Sequence, residues 1–389
     1  MTIDLRTDKK HLTKTFWDVI VVGAGPAGAM AALELARRQY TVLLVDRAEF
    51  PRGKVCGCCL NGAALATLRD AGLADLTDSL AAVSLRWLHL KTAGRSAIIS
   101  LPGGVSLSRE ALDSALIDIA MKEGVTFLPR AMARLGETLP TGRVVDITTA
   151  AETIPARARV ILAADGLGSR LASGETGPAH IASNSYIGAG VTLRTAHGDY
   201  PPGTIHMAVG QPGYVGLVRL EDGRLDLAAA LSASAVRAAG GPGVVATQIL
   251  RDAGFPAIAG LTEAGWKGTP PLTRTPKRLG GEHWLAIGDA AGYVEPFTGE
   301  GIAWALACGR AVAPVVDTAL SSRDWSVTAI LNWERVYQRS IRRRQTICRL
   351  VSQVLRRPWL CRIAIQMLAV APWLAAPVTV ALNRRHSSC

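Results

Sequence analysis

Gly23, Gly25 and Gly28 stand in the string Trp17-Asp-Val-Ile-Val-Val-Gly-Ala-Gly-Pro-Ala-Gly28, and Asp46 closes a second apolar run 23 residues after Gly23. Residues of these types at this spacing can hold a dinucleotide. Gly23 permits a sharp turn, Gly25 lets backbone approach a pyrophosphate, and Gly28 lets a helix lie close to a strand. Pro26 and Ala27 begin that helix, whose positive N-terminal end faces the phosphates. Asp46 is placed to accept a bond from a ribose hydroxyl, with Arg47 beside it. Other reactive residue types lie downstream. Cys56, Cys58 and Cys59 crowd one loop, without the paired CxxC spacing of a zinc site, so no metal is expected. His89 and His206 fall on alternating apolar segments. An imidazole there can act as a base near neutral pH, although a single histidine on a strand is more often a packing residue.

The elements that must position these groups follow from hydrophobic periodicity. A buried strand, the glycine turn, a helix over about 26–38 and a second strand form the first unit. A helix is expected over 61–70, and strands around 84–90 and 96–101. Ser108 suits the N-cap of a helix that carries Arg109 at its start, with apolar positions at 112, 116, 119 and 120. A strand at 125–128, a meander over 144–154 and a buried strand over 158–166, ending in an acid and a glycine, follow. Residues 187–231 alternate as an antiparallel sheet does, a strand runs through 283–289, and a helix through 301–315. Segments of α/β character thus bracket segments of antiparallel character. The expected fold class is α/β with an α+β insert. A discontinuous nucleotide domain would occupy 1–80, 105–172 and 276–320. The inserted substrate sheet would occupy 81–104 and 173–275, and a basic, apolar helical region 321–389.

With 389 residues and 49% hydrophobic content, the chain can bury a large core. Residues 1–15 are polar, without the pattern of a secretory signal. Seven cysteines, an odd number, argue for reduced thiols in the cytoplasm. No repeat at solenoid period is visible. The net charge of +12 is concentrated late: Arg335, Arg339, Arg342, Arg343, Arg344, Arg349, Arg356, Arg357 and Arg362 lie in a stretch whose only acid is Glu334. Aromatic interleaving is missing, so no nucleic-acid partner is expected. A basic amphipathic helix suits the inner face of a membrane as a peripheral contact, or an acidic carrier protein. The run 363–382 is long enough to span a bilayer, but Pro372 and Pro377 interrupt it.

Two further motifs narrow the reading. Ala164-Asp165-Gly166-Leu-Gly168-Ser169-Arg170 follows a strand, and Gly288-Asp289-Ala-Ala-Gly292-Tyr-Val-Glu-Pro296-Phe297-Thr298-Gly299-Glu300-Gly301-Ile302 joins a strand to a helix. With the first glycine turn and Arg109, over residues 17–320, the chain resembles the FAD-dependent superfamily of single-component aromatic hydroxylases (para-hydroxybenzoate hydroxylase-like), flavin halogenases and geranylgeranyl reductases. The resemblance implies a Rossmann-like FAD-binding domain of the glutathione reductase type. It implies that Asp289, after Gly288, holds a ribityl hydroxyl, and that Gly299, Gly301 and Ile302 face the pyrimidine side of the flavin from a helix N-terminus. Arg109 would reach the phosphates or flank the ring, and Asp165 and Gly166 would support FAD. NADPH or NADH, as electron donor, would visit a shared cleft.

Within that superfamily the markers are mixed. Pro51-Arg52-Gly-Lys54-Val-Cys56-Gly57 is similar to the flavin-side loop of geranylgeranyl reductases, which implies that Lys54 and Gly57 adjoin FAD. The Tyr-x-Trp-x-Phe-Pro-Lys pocket string of those reductases is reduced here to Tyr214-Val-Gly-Leu-Val-Arg219. The Trp-x-Trp-x-Ile-Pro string of the halogenases is missing. Two chemistries therefore stay open. One is hydroxylation of an apolar aromatic or quinone-like small molecule through a flavin C4a-hydroperoxide. The other is hydride transfer to an isolated double bond. The broken pocket string favours a monooxygenase. Pro296, Phe297 and Thr298 would lie at the reacting edge of the ring, with Tyr214 in the pocket. Cys56 or Cys58 would serve as redox partner or proton donor, or merely pack on the ring, and His206 would serve as a base. A flavoprotein that only docks on a membrane or carrier is the non-enzymatic alternative.

Overall fold

The computed structural model describes residues 12–194, 198–295, 297, 299–322, 325 and 327–383. Its framework is a sheet with the strand order Gly280–Gly281, Trp284–Ala286, Thr153–Ala163, Phe16–Val22, Val42–Val45, Thr126–Leu128. The last five run parallel. Val42-Leu-Leu-Val45 is buried along its whole length, as a parallel strand covered on both faces must be. Helices Pro26–Ala36, Arg109–Lys122 and Gly301–Ser321 supply much of that cover. Thr153–Ala163 is longer than its apolar stretch suggests. Its first half carries an antiparallel meander with Gly142–Thr148 and Met132–Leu139.

The second sheet has the order Lys267–Pro271, Ile187–Leu193, Leu225–Leu231, Gly213–Arg219, Thr204–Gly210, Trp87–Thr92, Arg95–Ser100. Its pairs are antiparallel except one. Trp87–Thr92 lies parallel to Thr204–Gly210 because it arrives from an earlier part of the chain, not through a hairpin. One face of this sheet packs Leu217, Leu225, Leu227 and Leu231 against helix Pro242–Asp252. The other face presents Met207, Val209, Tyr214 and Ala230 to Phe297, Cys361 and Ile365.

The C-terminal segment is a chain of helices: Val327–Tyr337, a π turn Gln338–Arg342, Arg343–Leu355, Pro358–Val370, a 3-10 turn Pro372–Ala375, and Ala376–Asn383. The apolar run over 363–382 is therefore not one continuous helix. Pro372 ends the first piece, whereas Pro377 sits in a first turn, where its missing N–H costs nothing. Among the described residues, Gly301–Ser321 is the one helix long and apolar enough to cross a membrane, and most of it is buried in the protein core.

Candidate functional site

The glycine turn separates positions that must be glycine for packing from one that leaves room for a ligand. At Gly23 (φ +110°) a Cβ would lie 2.2 Å from the Ala164 carbonyl oxygen, and at Gly28 it would lie 1.8 Å from the Gly23 carbonyl oxygen. At Gly25 it would meet only the guanidinium ends of Arg109 and Arg52, at 3.6 and 3.8 Å. Asp46 follows its strand and accepts the N–H of Ala24 on Oδ2 and that of Ala48 on Oδ1, both at 2.8 Å. Each oxygen keeps a second lone pair for a hydroxyl. Arg47 is exposed beyond it. Pro26 and Ala27 start the buried helix, as the sequence implies.

Three cations converge over this turn. Ser108 caps helix Arg109–Lys122 by accepting the Ala111 N–H at 3.1 Å. One turn on, Asp113 accepts Arg109 Nε at 2.9 Å and Nη2 at 2.7 Å, a buried bidentate pair. Arg52 lies 3.6 Å from Asp46 and 3.7 Å from Asp113. The Lys54 ammonium crosses to the Asp165–Gly166 turn, 3.2 Å from where a Gly166 Cβ would be. Its side chain is open to the cleft yet walled by protein at longer range. Desolvation lowers its pKa first, and Arg109 next. Like charges held this close beside a bare glycine backbone fit an anionic diphosphate. FAD's pyrophosphate would satisfy that requirement, and Arg52, Lys54 and Arg109 are the charged groups placed to hold it.

The other two motifs close the cleft. Asp165 Oδ2 accepts the N–H groups of Arg170 (2.8 Å) and Leu171 (3.2 Å), while its buried Oδ1 has no partner. Gly166 turns at φ +83°. Strand Trp284–Ala286 leads to Gly288, whose N–H donates to Cys308 Sγ at 3.1 Å, and Asp289 follows in a 3-10 turn. Gly299 touches the cysteine loop: a Cβ there would meet Cys59 Cβ at 3.6 Å. Helix Gly301–Ser321 then starts at Glu300, whose side chain makes no cap bond, with Ile302 buried behind. Pro296 and Thr298 lie outside the described residues.

The cysteine loop spans the gap between glycine turn and substrate sheet. Val55 packs over Gly190, where a Cβ would lie 3.1 Å away, and Gly57 is open to the cleft. Cys58 is buried at φ +50°, and its N–H donates to Cys56 Sγ at 3.4 Å. The Cys59 thiol donates to the Gly57 carbonyl at 3.0 Å. The Cys58 thiol and then the Arg109 charge bring the Cys56 thiol down to about 6 against its burial. Cys58 is pushed well above its ordinary value by giving that bond and by burial. Burial also raises Cys59.

Two polar groups face this space from the sheet and its surroundings. Asp226, second in a strand otherwise of leucines and alanines, accepts Thr192 Oγ1 at 3.1 Å on Oδ1. Its buried Oδ2 has no aligned partner, although the Cys58 thiol is near enough to favour the ionised form. Burial, then Cys56, push this carboxyl up to about 8. At the other end Tyr214 meets Phe297 edge to face at 5.0 Å, with its phenol in hydrogen-bonding reach of Glu295. Glu295 is buried and takes Arg356 Nη2 at 2.6 Å. Arg356 also lies 3.9 Å over the Tyr186 ring and donates to the Asn184 carbonyl.

One expectation is corrected. His206 lies on the opposite face of the sheet, its ring 5.2 Å from Tyr200 and 5.9 Å from Phe255, beside His89. Burial pushes it down to about 4, and neither ring nitrogen has a partner. Strand alternation turns His206 away when Met207 and Tyr214 face the site. Arg219, matched by position to the reductase lysine, likewise turns out to the carbonyls of Tyr200 and Gly223. Sequence reading passed over Asp113, Asp226, Glu295 and Arg356. Asp113 had a signal, four residues after Arg109 on one helix face. Asp226 had a fainter one, an acid flanked by leucines.

These features define an FAD-dependent oxidoreductase. Residues 17–174 match the FAD binding domain family. The menaquinone reductase of Mycobacterium tuberculosis is 31% identical over 334 residues, 79% of this chain and 78% of that protein. The digeranylgeranylglycerophospholipid reductase 1 of Methanopyrus kandleri is 27% identical, over 87% of this chain and 90% of that protein. In fold, a geranylgeranyl bacteriochlorophyll reductase-like protein of Thermoplasma acidophilum superposes with a TM-score of 0.78 at 19% identity, covering 94% of this chain and 98% of the other. The chain belongs to the family of FAD-dependent oxidoreductases that includes these menaquinone and geranylgeranyl-type reductases.

Proposed function

We propose that this protein is an FAD-dependent reductase that saturates an isolated carbon–carbon double bond in the apolar chain of an isoprenoid lipid. The observation that carries the reading is the apolar layer packed around Tyr214 and Phe297. Met207, Val209, Leu272, Cys361 and Ile365 pack there, and walls of this composition suit a hydrocarbon chain better than a polar ring. The reductases similar to this chain by sequence support the same choice. Bound FAD supplies a hydride to one carbon of the alkene. Tyr214 supplies the proton for the other from its Oη. Burial and the neighbouring Glu295 keep that phenol protonated across the neutral range. Glu295, fixed by Arg356, holds the phenol in place. NADPH or NADH is the proposed electron donor.

The lipid arrives from a membrane surface. Helix Pro358–Val370 packs Cys361 and Ile365 on this apolar layer and turns Trp359 (60% exposed) and Met367 outward, with Val370 and Trp373 (71% exposed) continuing the apolar face. Between residues 335 and 383 the sequence has nine arginines and no acid. Exposed tryptophans beside arginines suit an anionic bilayer interface.

The deciding experiment supplies a polyprenyl lipid to the reduced holoprotein with and without oxygen. Product heavier by two hydrogens, formed anaerobically, supports the proposal, and Tyr214→Phe should lose it at least tenfold while FAD stays bound. Product bearing an added oxygen atom, with stoichiometric oxygen uptake, would establish the hydroxylase reading that the broken pocket string favours.

A further inference from the structure

We propose that Cys56 and Cys58 form a redox-active dithiol that feeds an electron pair to the flavin, with Asp226 as the acid–base group for Cys58. This rests on the FAD assignment but not on the identity of the lipid. The geometry has three parts. The Cys58 N–H bends back onto Cys56 Sγ at 3.4 Å, so the loop folds one thiol over the other residue. Gly57 between them is open and unhindered, and Cys58 takes a left-handed turn at φ +50°. Asp226 lies beneath this pair, its buried Oδ2 without an aligned partner among the described residues but close to the Cys58 thiol. A buried carboxyl of this kind sits in the floor of the site only at a cost, unless a group that exchanges protons lies above it.

The two thiols are also unequal in the sense a dithiol needs. Arg109 and Cys58 hold Cys56 as a thiolate at neutral pH, and Cys58 keeps its proton. In the oxidation step a sulfur–sulfur bond forms between Cys56 and Cys58, and the S–H bond of Cys58 breaks. Its proton passes to the Asp226 carboxylate. The electron pair released is taken up by oxidised flavin, which acquires a proton from water. In the reverse direction, Asp226 returns its proton to the Cys58 sulfur as the disulfide is reduced. The dithiol can be recharged by a small thiol or a dithiol protein, a route of electron entry that needs no nicotinamide site. The groups facing Asp226 are Thr192 from its sheet neighbour, Cys56 and Cys58 from the loop, and Glu110 from the helix that begins at Arg109.

The test reads thiols, not turnover. Full-length protein, stripped of FAD, is given one equivalent of a small disulfide such as oxidised glutathione, then alkylated and mapped by mass spectrometry. The expected result is loss of two alkylatable thiols per chain and a peptide with Cys56 linked to Cys58. Cys59→Ser should give the same map, and Cys58→Ser should instead hold glutathione on Cys56. Wild-type protein that retains glutathione on Cys56, or links Cys59 instead, would overturn the proposal. Failure of FAD to bind at all would strike the cofactor assignment and leave this map intact. A second arm adds FAD to the reduced, desalted protein without oxygen: bleaching of the flavin's visible absorption must accompany the same linked peptide. Flavin that stays oxidised beside a reduced pair would refute the electron transfer. Closure of the disulfide should quicken as pH rises through about 8 in the wild type. Asp226→Asn should flatten that profile and slow closure about tenfold, and an unchanged profile would remove Asp226 from the scheme.

Discussion

The cofactor end and the proposed lipid end of this molecule are built on opposite principles. At the cofactor end, backbone does the work: Gly25 opens a bare strand–helix turn, and charged groups such as Arg109 are pinned in place by a partner one helical turn away. At the other end, apolar side chains from separated segments between Leu90 and Ile365 pack into one layer, and Tyr214, Glu295 and the half-buried Arg356 form a polar trio beside it. The first design tolerates almost no change in local sequence. The second tolerates many substitutions that conserve volume and polarity. A fold of this type can therefore keep one cofactor while its substrate varies.

The contrast is broken most severely at the glycine turn. Gly28→Ala places a methyl 1.8 Å from a backbone oxygen, so the helix must separate from the sheet. The expected outcome is protein that is insoluble or lacks a cooperative melting transition. Gly25→Ala meets only ordinary contacts, and should fold with a normal melting curve but bind FAD at least tenfold more weakly, read by flavin fluorescence. Equal behaviour of the two variants would show that the turn has one role and not two.

Arg109→Leu comes next. It removes the bidentate partner of a fully buried carboxylate, at a cost of roughly 3–5 kcal/mol. It should also raise the pH at which Cys56 is alkylated above its value of about 6. At the opposite end, Arg356→Ala leaves Glu295 without its cation and should lower stability by about 3 kcal/mol in urea. FAD affinity should stay within about twofold, because the partners of this pair, Tyr214, Tyr186 and the Asn184 carbonyl, lie away from the glycine turn. A tenfold or larger fall in FAD affinity would merge the two regions into one.

Asp226 marks the border between them, and its effect on stability has a definite sign. The folded state raises this carboxyl to about 8, so native protein binds its proton more tightly than unfolded chain does. Stability is then lost as pH rises from the ordinary carboxylate range towards 8. Asp226→Asn should be more stable than wild type by ~1–3 kcal/mol at pH 8, with the gap closing towards pH 4. A gap that widens on acidification would mean that the carboxylate is ionised and partnered in the fold.

How much of this was legible in the sequence follows the same division. The βαβ unit, the cap at Ser108, and the strand-end motifs at Asp165 and Asp289 are local, so turn chemistry and periodicity reveal them. The side of a strand that faces the site is not local. His206 and Tyr214 read alike as polar residues on alternating strands, and only the pairing of Thr204–Gly210 with Gly213–Arg219 sends one outward and the other inward. Glu295 and Arg356 are 61 residues apart, and a contact at that distance leaves no periodic trace. Asp226 stood in plain view as an acid in an apolar strand. Its meaning depended on a loop more than a hundred and fifty residues earlier.

The smallest expected effect on stability falls at the outer face of the lipid end, and it tests the membrane contact. Trp359→Ser with Trp373→Ser changes two side chains that are mostly in water, so the melting temperature and urea midpoint should shift little, within about 0.5 kcal/mol. Co-sedimentation with vesicles containing phosphatidylglycerol should fall at least tenfold, because each indole inserted in a bilayer contributes ~1.5–3 kcal/mol. Replacing Arg357 and Arg362 by Gln should reduce binding to the same vesicles, and added salt should erase that difference, as expected for charges screened over about 10 Å. Wild-type protein that ignores anionic vesicles would remove the bilayer as the source of the lipid. The apolar face would then belong to a protein partner, and an acidic carrier would be the next probe, with the same arginines and the same dependence on salt.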